Sequence, residues 1–192
     1  MFKVAVLISG AGTTLKSIID DSKTDSSYEI ALVISDRNCK GIEYAKAANI
    51  PYRILERDST LSDRILAQVD SFDLVVLAGF LSILEGKILV AMKNKIINLH
   101  PSLLPSFGGK GMYGIHVHEA VLKSETPISG CTVHFVDEVV DGGNFILKRI
   151  IGIKEAKNAH DIQSLVSSIE KGALTDAIRL IAKGEEIYES TY

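Results

Sequence analysis

The chain has 192 residues, with 21 Lys and Arg against 24 Asp and Glu, for a formal net charge of −3. Hydrophobic residues make up 46% and charged residues 23%, a balance that suits a globular chain with a sizeable core and excludes extended disorder. No dense run of Lys and Arg is present, so the footprint of a protein that wraps nucleic acid or docks on anionic membrane is missing, although local donors can still hold a small anion.

Short apolar runs alternate with segments of helical period, the signature of βαβ units and a largely parallel sheet. Val4 to Ile8 is predicted as the first strand, followed by a helix over Thr13 to Asp20. Ile30 to Ile34 is a second strand, Gly41 to Ala48 a helix, and Tyr52 to Leu55, introduced by Pro51, a short third strand. Leu61, Ile65, Leu66 and Val69 fall on one face of a helix over Leu61 to Val69. Leu74 to Ala78 is the most apolar strand and is expected at the centre, because strands covered on both faces lose polar alternation. A helix over Ile83 to Met92 and a strand over Ile96 to Leu99 follow.

After Pro101 the chain changes style. Ser102 to Gly114 holds Pro105 and four glycines, Gly108, Gly109, Gly111 and Gly114, which predicts a mobile loop. Val117 to Leu122 returns to helix, and Thr132 to Val136 and Phe145 to Ile153 are strands. The link between them is too short for a parallel crossover, so an antiparallel extension is expected. A long helix from about His160 to Ala182, stopped by Gly184, closes the fold. The longest apolar stretch, Leu74 to Leu84, is interrupted by Gly79 and Ser82 and is too short to cross a bilayer. Met1 leads directly into a strand pattern with no secretory signal, and Cys39 and Cys131 are far apart with no ligand pattern. A reducing, cytoplasmic setting is the expectation.

Ile8-Ser9-Gly10-Ala11-Gly12-Thr13-Thr14-Leu15 sits where the first strand hands over to a helix. Two readings stand at this turn: a cradle for an anion, built from glycine backbone, threonine hydroxyls and unpaired helix N–H groups, or a tight turn with a threonine N-cap. Leu15 occupies the position where a dinucleotide fingerprint has its third glycine, which disfavours a pyrophosphate. The Gly-Lys-Ser/Thr ending of a triphosphate loop is also missing. A single terminal phosphate fits better. Asp36 follows the second strand, at the place where a ribose-binding acid can lie.

Asn98 and His100 stand at the carboxyl end of their strand, on the rim where open α/β sheets collect ligands. Two residues apart in a strand, they point to one side. Asp141, in Val140-Asp141-Gly142-Gly143, lies in a turn from which a carboxylate can reach the histidine. An amide N–H stabilises an oxygen gaining charge, an imidazole exchanges protons near neutral pH, and a carboxylate orients the imidazole and favours its charged form. Ser102 lacks a nucleophile-elbow context, so no covalent nucleophile is implied. His116, His118 and His134 have no acidic or cysteine partner at ligand spacing, and no metal is expected.

The segments "LISGAGTTL", "LAGFLSIL", "INLHPSLLPSF" and "TVHFVDEVVDGG" occur here in the order of the motifs of the folate-dependent formyltransferases. The chain resembles that family over essentially its whole length. The resemblance implies an open, mostly parallel twisted sheet flanked by helices, a Rossmann-like α/β fold with an antiparallel C-terminal extension. It further implies transfer of a formyl group from 10-formyltetrahydrofolate, as co-substrate, to the amine of glycinamide ribonucleotide in purine biosynthesis. Asn98, His100 and Asp141 fall on the family's catalytic asparagine, histidine and aspartate. On that basis the amine attacks the formyl carbon directly, Asn98 and protonated His100 stabilise the oxyanion, and Asp141 supports the imidazolium. Gly12, Thr13 and Thr14 match the positions that hold the ribonucleotide phosphate, and Glu170 the acid that binds the ribose hydroxyls. Leu81, Ser82 and Leu84 match the stretch that grips the pterin, with Asn98 beside it; Asp137, Glu138, Val139, Val140 and Asp141 match the loop that closes over it.

The resemblance makes residues 1–192 one formyltransferase domain, with 1–99 as the phosphate-binding half and 100–192 as the catalytic loops, last strands and last helix. A monomer or homodimer that acts on small molecules, without nucleic acid or membrane, is expected. The glycine-rich "SFGGKGMY" departs from the compact bacterial pattern by its length, and the family's basic folate-tail contact near Asp58 to Asp63 has no direct counterpart, leaving Arg57 or Arg64. A formyltetrahydrofolate hydrolase is expected to carry an added N-terminal domain, and a methionyl-tRNA formyltransferase an added C-terminal one. A non-catalytic nucleotide-binding module would leave Asn98, His100 and Asp141 without a purpose.

Overall fold

The computed structural model describes residues 1–185. Seven strands form one sheet: β1 (Phe2–Ile8), β2 (Tyr28–Ser35), β3 (Tyr52–Ile54), β4 (Leu74–Leu77), β5 (Ile96–His100), β6 (Ile128–Phe135) and β7 (Phe145–Gly152). Their spatial order is β3-β2-β1-β4-β5-β6-β7, which puts the all-buried Leu-Val-Val-Leu of β4 at the centre. Strands β1 to β5 pair in parallel, while β6 runs antiparallel to both β5 and β7. The helices are α1 (Thr13–Ser22), α2 (Ile42–Ala47), α3 (Leu61–Val69), α4 (Lys87–Ala91), α5 (Ile115–Lys123) and α6 (Ala159–Lys183).

Alternation along β1 divides the core into two layers. Val4, Val6 and Ile8 pack in one layer with Leu15 and Ile18 of α1 and the buried stripe of α6; Ala5 and Leu7 pack in the other with Leu61 and Ile65 of α3 and Ile88 of α4. At about 25 cal/mol per Å² of apolar surface buried, both layers are strongly driven. Ile96 belongs to the α3/α4 layer and Ile97 to the opposite one, so Asn98 and His100 follow Ile96 onto the α3/α4 side. Among the described residues, no member of β6 or β7 enters the buried α3/α4 cluster. On that side of the last strands, a loop and a cleft take the place of a helix.

Three expectations change. The helix expected over Ile83 to Met92 is confined to α4, because Gly86 has φ +73° and breaks the helical run before Lys87. Strand β6 starts four residues earlier than expected, at Ile128, and takes in Gly130, where a side chain would overlap the Arg149 carbonyl. The segment Ser102 to Gly114, expected as a mobile loop, is tied to the sheet by hydrogen bonds at Ser102, Leu104 and Phe107 and to Asp141 by the Gly109 N–H. Helix α6 ends as expected on Gly184 in the left-handed conformation, and Asn158 caps its start by accepting from the N–H groups of His160 and Asp161.

Candidate active site

The topological switch lies between β1 and β4, where the chain order reverses and ligands of open sheets bind. One strand further on, β5 brings Asn98 opposite His134 and His100 opposite Thr132 of β6. A register slip between Val133 and His134 leaves one extra residue in β7, a bulge of the kind that re-aims side chains beside functional sites. Asp141, with φ +58°, projects from the turn after β6. Its Oδ2 lies 3.4 Å from His100 Nδ1 and its Oδ1 3.6 Å from His134 Nε2. Asn98, His100, His134 and Asp141 thus form one cluster.

Backbone acceptors set the two rings. His134 Nδ1 is 2.8 Å from the Phe135 carbonyl, so its N–H sits on Nδ1 and Nε2 is left to accept from Asn98 Nδ2 at 3.3 Å. That bond turns the amide nitrogen of Asn98 inward and leaves its second N–H free to donate. His100 Nε2 is 2.7 Å from the Phe107 carbonyl, so Nε2 carries the proton and Nδ1 faces Asp141. Burial holds the His100 pKa below its ordinary value, outweighing Asp141 and the Phe107 carbonyl, which raise it. The neutral ring then turns a lone pair toward the carboxylate, consistent with a separation wider than a charge-assisted bond. Burial pushes the Asp141 carboxyl up, but the surrounding His134 and His100 rings and the Gly109 N–H favour the carboxylate and bring its pKa below the usual range. Gly109 N donates to Asp141 Oδ2 at 2.9 Å, and a side chain at Gly108 would press on Asp141 Cβ and Leu104. Glycine lets the loop approach this closely.

The turn after β1 is bonded to the turn after β4, whose Gly79 and Leu81 line the same cleft as the cluster. Ser9 N donates to the Gly79 carbonyl and Leu81 N to Ser9 Oγ. The N-cap of α1 is Gly12, left-handed at φ +73°, and among the described residues no side chain caps the helix. The threonine N-cap reading is therefore replaced: Thr13 is exposed, Thr14 half-buried, and the opening N–H groups of α1 lack intrahelical acceptors. A side chain on Gly12 would overlap the Gly41 backbone. Glu170, half-buried on α6, makes no hydrogen bond or ion pair among the described residues, and burial raises its carboxyl pKa.

Asn98, His100, His134 and Asp141 line a cleft of about 640 Å³, and so do Leu81, Ser82, Leu84, Asp137, Glu138, Val139 and Val140. Its rim is apolar: Leu81, Ile83, Tyr113, Val139 and Val140 are exposed there. Leu84 is mostly core. Ser82 donates to Asp36 Oδ2 at 2.6 Å and accepts from Arg57 Nε. Asp36 also binds Arg37 through both oxygens and Arg57 through one. Burial pushes this carboxyl up, but these donors outweigh it and hold the pKa far below the usual range. With its oxygens committed and its side chain fully buried, Asp36 is an anchor rather than a ribose ligand. Arg57 is held by that anchor, and Arg64 pairs with Asp58 and donates to the Glu56 carbonyl. His116 pairs with Glu119 at the surface, and His118 is buried in α5. Among the described residues no His, Cys, Asp and Glu cluster suits a metal ion, and no helix is long and apolar enough to cross a membrane.

Residues 2–178 match the family model described as formyl transferase. The chain belongs to the formyl transferase family. It is 38% identical over 193 residues to the trifunctional purine biosynthetic protein adenosine-3 of Gallus gallus, covering 95% of this chain but 18% of that protein. It is 32% identical over 190 residues to a chloroplastic phosphoribosylglycinamide formyltransferase of Vigna unguiculata, covering 94% of this chain and 61% of the relative. The crystal structure of glycinamide ribonucleotide transformylase 1 from Symbiobacterium toebii superposes with a TM-score of 0.88 at 32% identity, over 99% of this chain and 92% of the other. The phosphoribosylglycinamide formyltransferase from Brucella melitensis gives 0.85 at 29% identity, over 96% and 97%. The sheet with its antiparallel end is that of the formyl transferase fold.

His134 is the member of the cluster whose part sequence reasoning missed. The signal available was its spacing of two from Thr132, which puts both on one face of β6.

Proposed function

We propose that the chain transfers a formyl group from 10-formyltetrahydrofolate to the amine of glycinamide ribonucleotide, a step of purine biosynthesis. The observation that carries this reading is the convergence of an amide donor, a buried imidazole and a carboxylate at one apolar-rimmed cleft, stitched to an uncapped glycine turn. The apolar rim suits the flat pterin, and Gly12, Thr13 and Thr14 suit a single phosphate. Glu170 is not among the residues lining the cleft; unpaired among the described residues, it is the acid we assign to the ribose hydroxyls.

The amine nitrogen forms a bond to the formyl carbon, and the carbonyl electron pair moves onto oxygen. The second N–H of Asn98 stabilises that oxyanion; the share expected of a protonated His100 falls away on this reading, because burial favours the neutral ring before attack. His100 Nδ1 takes the proton that the attacking amine loses, and the Phe107 carbonyl and Asp141 then hold both protons of the imidazolium. The adduct collapses, the carbon to N10 bond breaks, and N10 receives the proton. No covalent enzyme intermediate is required.

The test is to incubate the protein with both substrates and follow loss of the formyl donor. Loss that depends on the ribonucleotide is expected. Equal loss without the ribonucleotide, with formate as product, would replace this reading by hydrolysis.

A further inference from the structure

His100, Thr132 and Lys148 stand in one row across three strands: His100 pairs with Thr132, and Thr132 with Lys148. Paired residues share a face of the sheet, and Thr132 and Lys148 both grip the segment that follows His100. Lys148 Nζ donates to the Leu104 carbonyl at 2.8 Å. Thr132 Oγ1 accepts from Leu104 N at 3.1 Å and donates to the Ser102 carbonyl at 2.8 Å. Ser102 Oγ, in turn, donates to the Phe107 carbonyl at 3.2 Å, the same oxygen that meets His100 Nε2. The segment is therefore tied at Ser102, Leu104 and Phe107, and the last tie falls on the imidazole.

Lys148 is an unusual lysine. It is partly buried, has no carboxylate partner among the described residues, and burial lowers its amine pKa. Its ammonium lies 4.1 Å from the centre of the Phe145 ring. A cation partly withdrawn from water without a counter-ion carries a cost, which the Leu104 carbonyl and the Phe145 ring offset. Among the described residues its one hydrogen bond goes to the loop that leads back to His100.

We propose that Lys148 is a positioning residue for the site: by holding the Leu104 carbonyl it keeps the Phe107 carbonyl on His100 Nε2, which leaves Nδ1 bare toward Asp141. This deepens the formyl-transfer reading and rests on it. Without the tie, the Phe107 carbonyl drifts and the ring populates the tautomer whose Nδ1 already carries a proton. That tautomer cannot take a proton from the amine at Nδ1.

The test compares Lys148→Met, which keeps the stem over Phe145 and removes the donor, with Lys148→Arg, which restores a donor. In Lys148→Met, kcat is expected to fall about tenfold with both KM values within about twofold of wild type, the effect of one lost hydrogen bond. Lys148→Arg recovers most of kcat. Nitrogen-15 NMR of labelled histidine is expected to show His100 with its proton on Nε2 in the wild type and the arginine variant, and a mixture in the methionine variant. Unchanged kcat or an unchanged His100 spectrum in Lys148→Met overturns the proposal. If that variant does not fold, a wild-type spectrum with the proton on Nδ1 overturns it unaided. Failure of the wild type to transfer formyl sinks the functional reading instead, and the tautomer measurement still decides the role of Lys148.

Discussion

Asp141→Asn replaces a carboxylate by an amide of nearly the same shape beside His100. The amide oxygen can still accept from Gly109 N, so the 2.9 Å tie to the loop survives. What goes is the charge. At the observed 3.4 Å and an effective dielectric of about 20, a carboxylate and an imidazolium attract by about 5 kcal/mol. Water that enters with the substrates screens part of this, leaving about 3 to 4 kcal/mol, or two to three decades in rate. Because the attraction exists only while the ring is charged, the loss belongs to kcat, and the ribonucleotide KM is expected to stay within about threefold of wild type. Steady-state assays with each substrate varied, beside a thermal melt to confirm folding, measure both quantities. A folded variant with kcat within threefold of wild type would remove Asp141 from the mechanism.

Three further outcomes are expected. Replacing Thr13 and Thr14 together by valine removes two hydroxyls from the uncapped turn, and should raise the ribonucleotide KM about tenfold while leaving the folate KM unchanged; the reverse pattern would misplace the phosphate. His134→Phe takes away the acceptor that orients Asn98, and kcat should fall by about ten- to a hundredfold, part of the effect of removing an oxyanion donor; wild-type turnover would show that Asn98 needs no such support. His100 and His118 have pKa values lowered first by burial. Below about pH 6.5 the unfolded chain gains protons that these rings resist, so stability present above that pH is lost as pH falls toward their folded values, by at most about 1.4 kcal/mol per unit for each ring. Urea unfolding at several pH values measures this, and a stability that rises between pH 6.5 and 5.5 would contradict it.

Local patterns in the sequence were enough where one element answers to one face. Leu61, Ile65 and Val69 face a single core layer, and α3 has the bounds that this stripe predicts. Asn98 and His100 were legible for a similar reason: their spacing alone puts them on one side of a strand end. Ile83 and Leu84 look like the start of a helix because they are apolar, but Ile83 is exposed at the cleft rim, and the positive φ of Gly86 decides the matter. Glycine content suggested a free loop after Pro101, whereas its restraints come from Thr132, Asp141 and Lys148, far along the chain. The part of His134 depends on the pairing of β6 with β5, a nonlocal fact that no window of sequence contains.

The change of strand direction at β5 and β6 also bears on how this site tolerates alteration. Asn98, His100 and His134 take their spacing from paired strands, while the cleft wall from Gly109 to Gly114 takes its course from a connection between β5 and α5. Lengthening such a connection adds little closure entropy, only about 0.6 kcal/mol for each doubling. Residues beyond Gly109 can therefore be inserted, deleted or exchanged without disturbing the sheet register, provided the ties at Leu104, Phe107 and Gly109 survive. For an engineer, this makes the molecule divisible: the strands are a fixed chassis for the side chains of the cluster, and the distal glycine loop is a replaceable wall of the cleft.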